Sequence, residues 1–289
     1  MSHFAVAVIS DGTKTIDELL APYQENNMED CPKEFLKFID IEEEYRDEYE
    51  NGGCEYFIMP DGRRLLPWDE EFRIEGSCGY GPNTHKVPDH LEKKHIPYKE
   101  TFPTFDDYMR DWNGEEKDPD TGKYGYWENP NAKWDWYQVG GRWRGQVRAT
   151  CGGVAKADQS PYENRCYDLA KLRNLIWERD EAAAKRAENE WRSWVDGEDI
   201  EGIDQSFWNS QYYIDQFGDR EGYVLCESSM WWRAVITPDG KWHEVGEMGW
   251  FGMSSESNGE IVEWAKNFKE RFIDPCDPDC LLTVVDCHI

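Results

Sequence analysis

Cys276, Cys280, Cys287 and His288 place four soft ligands within thirteen residues. Zinc chemistry needs thiolates and imidazoles that converge tetrahedrally. The spacing is not a paired C-x2-C knuckle. Cys287 and His288 are neighbours on a strand-like segment, so their side chains point to opposite faces. The reading is therefore loop or buried thiols. A metal-stabilised domain or metal-dependent enzyme built on Cys276, Cys280 and Cys287 is the alternative.

Trp242-His243-Glu244-Val245-Gly246-Glu247 has the beginning of a helical zinc-protease motif. That motif works because a helix stacks two histidines at i and i+4. Here the last position is Glu247, and Gly246 with the upstream Pro-Asp-Gly favours strand and loop. DPDTGKYGYWEN (118–129) opens like a calcium loop, but Gly122, Lys123 and Asn129 occupy the wrong positions, so a solvated turn is expected. His85, His90 and His95 sit five apart in an irregular region. No glycine-rich phosphate loop or nucleophile elbow occurs.

WDWYQVGGRWRG (134–145) is the densest aromatic stretch. Rings interleaved with Arg142, Arg144 and Arg148 could stack single-stranded nucleic acid. Strand alternation offers a different account, with Trp134 and Trp136 on one face and Tyr137 on the other. Gly140-Gly141 permits a bulge or a close backbone approach before Trp143 resumes. Trp134, Trp136, Tyr137, Gly140, Gly141 and Trp143 thus read as a structural signature, a corner of the core.

Charge weighs on the same side. The 289 residues carry 60 acidic against 32 basic side chains, a net charge of −28. Phosphate affinity needs a basic footprint, so direct binding to nucleic acid or to an anionic membrane is disfavoured. A basic surface on another protein is the complementary partner. FAVAVI near the start is too short for a signal segment and has no basic flank, and no stretch reaches membrane-spanning length. The expectation is a soluble cytosolic protein whose nine cysteines are thiols.

The elements that would position these residues suggest an α+β fold. Its mixed or antiparallel sheet is built from both chain ends, with an inserted irregular arm and a long projecting helix. Residues 3–9 and LLTVVDCHI are apolar, β-rich strands. SMWWRAVITPDGKWHEVGE is a hairpin, and EIVEWAKNFKERF is a helix with Ile261, Trp264, Ala265 and Phe268 on one face. Residues 32–50 predict a helix with an acidic C-terminal end. Residues 165–195 predict the longest helix, about 45 Å by rise per residue. WDWYQVGG and GRWRGQVRA predict a pair of strands. The expected organisation is core over 1–50, arm over 51–130, core strands over 131–150, helical extension over 151–225, and core again over 226–289.

SHFAVAVI, LLAPYQENNMEDCPKEFLKF, NPNAKWDWYQVGGRWRG, KWHEVGEMGWFGMSSES and LLTVVDCHI together resemble a family of phage-encoded anti-defence proteins, among them the inhibitors of the Gabija nuclease–helicase complex. The resemblance implies a stoichiometric inhibitor rather than an enzyme, without cofactor, acting in the host bacterial cytoplasm. It implies a homo-oligomer that wraps the host defence nuclease–helicase complex and blocks DNA binding and cleavage. It carries over no catalytic or contact residue. Glu42, Glu43, Glu44, Asp47 and Glu48, with the 51–130 arm, are the expected contact surface by charge. An acidic DNA mimic competing for one nucleic-acid groove is a further alternative.

Overall fold

The computed structural model describes residues 3–75, 84–153, 166–247, 255–256 and 259–289. The chain divides into two compact units, one formed by Met1–Leu36 with Asn129–Ile289 and the other by Lys37–Glu128.

The first unit is α+β around a six-stranded mixed sheet. Its centre pairs the opening strand His3–Ser10 with the closing strand Leu281–His288, antiparallel and in full register from His3↔His288 to Ser10↔Leu281. Ala234–Ile236 runs parallel on the other side of the opening strand and forms the expected hairpin with Trp242–Glu244. The two central strands are buried on both faces, which is why each reads as a continuous β-branched run. Ala5, Ala7, Ile9, Leu282 and Val284 line one core, and Phe4, Val6, Val8, Val285 and Cys287 line the other.

Two short strands share the outer lane beside the closing strand. Leu169–Lys171 pairs with residues 281–283, and Trp136–Val139 pairs with residues 285–288. Between them, Gly140 N–H donates to the Val284 carbonyl at 2.9 Å, and Val284 N–H donates to the Asp168 carbonyl at 2.9 Å. The Gly-Gly corner leaves the sheet at this junction.

The helix Glu260–Phe268 buries Ile261, Trp264, Ala265 and Phe268, the face its spacing predicts. The helix Ile16–Leu20 opens with a Thr15–Glu18 capping box and buries Leu19 and Leu20. The longest predicted helix is shorter than its pattern. Residues 166–167 and 169–171 are strands, a 3-10 turn spans Leu172–Asn174, and the helix is Glu181–Trp194. Asp180 starts it by accepting from the Ala182 and Ala183 amides. Fourteen residues give roughly 21 Å rather than 45 Å. The expected extension over 151–225 therefore contributes a lane to the core sheet before it turns helical, because Leu169–Lys171 finds the closing strand's edge.

The second unit begins at Lys37 and ends at Glu128 rather than spanning 51–130. Its ends meet because Lys37–Asp40 pairs antiparallel with Gly125–Glu128. The helix expected over 32–50 yields its first half to that pairing and survives as Glu42–Asn51. The unit is more regular than an arm. A three-stranded sheet orders Arg64–Leu65, Gly53–Ile58 and Glu92–Pro97, with the expected turn at Asp61-Gly62. Tyr49, Tyr98, Tyr108, Met109 and Tyr124 form its aromatic core.

Candidate functional site

The tryptophan segment behaves as a corner, though not by simple alternation. The strand begins at Trp136, so Trp134 lies outside it. Trp134 is buried, donates its indole N–H to the Leu20 carbonyl at 3.1 Å, and meets Tyr137 edge-on at 5.3 Å. Tyr137 donates to Asp17; burial first, then that bond, pushes its phenol upward. Trp136 takes the exposed side, 44% accessible. Val147–Arg148, the second predicted strand, pairs with Cys166–Tyr167 instead of with the tryptophan strand.

Two buried carboxylates hold the Gly-Gly corner. Asp286, 2% exposed, accepts the Arg142 amide at 2.9 Å through Oδ2 and faces His3 Nδ1 at 2.9 Å through Oδ1. Asp168, 7% exposed, accepts the Gly145 amide at 2.8 Å. Gly140 and Gly141 have φ of 71° and 50°, and a Cβ on either would lie within 3 Å of Asp168 or Asp286. Glycine is required here by both conformation and space. Trp143 packs against the core beside the corner.

A second histidine completes this end of the sheet. His288 Nδ1 lies 2.6 Å from Asp135 Oδ1, and its ring is 4.9 Å from that of His3. Trp136 stacks on His288 at 5.3 Å. Each imidazole is thus oriented by a carboxylate at Nδ1, an arrangement that directs Nε2 for proton transfer. Both rings are enclosed, at 9% and 8% side-chain exposure. The His3–Asp286 pair ties the opening strand to the closing strand, and the His288–Asp135 pair ties the tryptophan segment to the closing strand. The antiparallel pairing of first and last strands brings Asp286 to His3, and the pairing of the closing strand with Trp136–Val139 brings Asp135 to His288.

The cysteines do not converge. Cys276 and Cys280 border a surface cavity of about 510 Å³ with His243, Asp239, Lys241 and Arg271. Burial raises both thiols above their usual range, and Cys276 Sγ–H donates to the Phe272 carbonyl at 3.2 Å. Cys287 is fully buried in the core on the other face of the sheet, its thiol pushed well up by burial. Among the described residues no group of three or more His, Cys, Asp or Glu is placed to hold a metal ion. His243 and Glu244 lie on a strand, as Gly246 suggested: His243 packs on Phe272 at 5.2 Å, and Glu244 pairs with Lys133 at 2.7 Å. Asp118 closes a solvated turn on the Asp120 and Thr121 amides.

The acidic helix Glu42–Asn51 carries Glu42, Glu43 and Glu44 in its first turn, where the helix dipole favours them, and Asp47, Glu48 and Glu50 toward its C-terminal end, whose last turn holds no basic residue. Asp40 accepts the Glu42 amide at 3.0 Å. Tyr49 is buried and Tyr45 packs on the aromatic core of the unit, while Glu43, Glu44, Asp47 and Glu48 face solvent. Arg46, the helix's sole cation, reaches Glu42 at 3.6 Å and lies 4.2 Å over the Phe105 ring. Among the described residues Glu43, Glu44 and Asp47 form no ion pair with a basic side chain.

A further exposed feature lies outside the residues singled out by motif and spacing. Phe207 is 90% and Trp208 53% exposed, next to the helix Ser210–Phe217. The signal was present as two adjacent large rings inside a stretch without basic residues.

No known protein family matches the chain, and neither a curated protein nor a solved structure is similar to it.

Proposed function

We propose that the chain is a phage-encoded, oligomeric inhibitor that binds a bacterial DNA-acting defence complex of the Gabija nuclease–helicase type and blocks its DNA binding and cleavage. The observation that carries this reading is the carboxylate face of Glu42–Asn51. Glu43, Glu44 and Asp47 are exposed and lack cationic partners among the described residues, and the helix is anchored from behind by Tyr45 and Tyr49. A fixed array of unneutralised carboxylates is complementary to a surface built to bind phosphates. The net charge of −28 extends that complementarity over the chain and opposes direct contact with DNA. The resemblance of the two chain ends and the tryptophan segment to phage anti-defence proteins supplies the partner class.

The test mixes the purified protein with a purified Gabija-type nuclease–helicase complex. Co-elution and loss of DNA cleavage are expected. The triple reversal Glu43→Lys, Glu44→Lys, Asp47→Lys should weaken binding by about tenfold or more, chiefly through the association rate. Free nuclease with undiminished cleavage at saturating protein would sink the proposal. The salt dependence separates two modes: a DNA mimic weakens steeply between low and high salt, whereas a wrapped interface with an apolar centre resists.

A further inference from the structure

The geometry points to Phe207 and Trp208 as the anchor of a docking ridge for a protein surface that is basic and carries an apolar cleft. This deepens the proposed inhibitor function and rests on it for the partner's identity.

Two neighbouring aromatic rings at 90% and 53% exposure leave apolar surface in water that the fold could have covered. Contiguous exposed rings of this kind mark interaction sites. The chain also spends local structure on holding them. Ser206 Oγ accepts the Trp208 amide at 2.9 Å and meets the buried Tyr213 hydroxyl at 2.6 Å. Asn209 caps the following helix through the Tyr212 amide at 3.0 Å. Trp208 stacks on Tyr212 at 4.7 Å with 20° between planes, and Phe207 meets Trp208 edge-on at 5.0 Å. From Tyr212 the contacts run inward to Tyr213 and on to Trp194 and Tyr223. The ridge is therefore the outer end of a packed aromatic stack. Trp208, seated on Tyr212, has little side-chain freedom to lose when a partner covers it, a property of binding hot spots.

Charge selects the occupant. Ser193–Asp219 contains seven carboxylates and no Lys, Arg or His. Asp196, Asp199, Glu201 and Asp204 are exposed and form no ion pair among the described residues, while Glu198 is taken by Arg192. Stacking of nucleic-acid bases on these rings would bring phosphates against the carboxylates, and an anionic membrane would meet the same repulsion. A basic protein surface gains from both parts: its cleft buries the rings, and its cations meet the collar.

The experiment compares wild type, Phe207→Ala/Trp208→Ala and Asp199→Asn/Glu201→Gln/Asp204→Asn for binding to the purified Gabija-type complex, with circular dichroism and sedimentation of each protein alone. The double alanine variant should fold as wild type and lose affinity by roughly thirtyfold or more. The neutralised variant should bind about tenfold more slowly at low salt, with the difference closing at high salt. Wild-type binding and inhibition that both variants match would overturn the ridge while leaving the proposed function standing. Wild-type protein that does not bind at all would overturn both. A double variant that falls apart from a wild-type oligomer yet keeps its affinity for the complex would assign the ridge to a second copy of this chain and overturn the proposal.

Discussion

A side-chain carbon at position 141 would lie 2.4 Å from the Asp286 Cβ. Gly141 also has a φ of 50°. Space and conformation thus act at one residue, and Asp286 cannot retreat because it is 2% exposed and bonded to Arg142 and His3. Gly141→Val should cost about 3 kcal/mol or more, from left-handed strain in a β-branched residue plus overpacking. Thermal or urea denaturation of the purified variant checks this. A variant as stable as wild type that had lost only its binding activity would make the corner a contact site instead of a structural one.

Asp286 itself joins three chain segments: the closing strand that carries it, the Gly-Gly corner through the Arg142 amide, and the opening strand through His3. Asp286→Ala strands a backbone donor and a ring nitrogen in a dry environment, and should cost about 2–4 kcal/mol. Asp286→Asn keeps one acceptor oxygen and should cost less. His3→Ala and Asp286→Ala combined should fall short of additivity by about 1 kcal/mol in a double-mutant cycle. Strict additivity would remove His3 from the network.

How far the sequence revealed this can be judged residue by residue. The central strands were legible because burial on both faces leaves an uninterrupted β-branched run, and the closing hairpin because Pro238-Asp239-Gly240 marks its turn. Leu169, Leu172 and Ile176 recur at helical spacing, yet Leu169–Lys171 is a strand whose partner lies more than a hundred residues along the chain, at Leu281–Thr283. Local periodicity does not register such pairing. The pairs of His3 with Asp286 and of Asp135 with His288 were hidden for the same reason. Phe207 and Trp208 precede the helix Ser210–Phe217, whose cap is Asn209, and helical spacing in the sequence does not show that both rings stay outside it.

His243 gives the fold a pH dependence whose sign is fixed by burial. Desolvation against Phe272 and its surroundings, partly offset by Asp239, holds the imidazole below its ordinary value of 6.5. The folded state therefore prefers the neutral ring. Its contribution is fully present above pH 6.5 and is lost as pH falls through the lower folded-state value. His243→Phe keeps the packing and removes the proton site, so wild type should lose stability relative to the variant on acidification below 6.5. Parallel stability curves for the two proteins across that range would refute the assignment, as would a His243 ring that titrates above 6.5 by NMR.

Thiol reactivity distinguishes the buried cysteines from an assembled metal site. The eight cysteines among the described residues are free, and only Cys151 is classed as exposed. Burial raises Cys276 and Cys280 and pushes Cys287 further, so little of the reactive thiolate is present near neutral pH. Among the described cysteines, iodoacetamide followed by peptide mass spectrometry should label Cys151 first, Cys276 slowly, and Cys287 only after denaturation. Treating the purified protein with EDTA should change neither this order nor the melting temperature, because Cys287 lies in a different core from Cys276 and Cys280. If chelation instead exposed Cys276, Cys280 and Cys287 together and lowered the melting temperature, the three thiols would share a metal and this description of the C-terminal segment would be wrong.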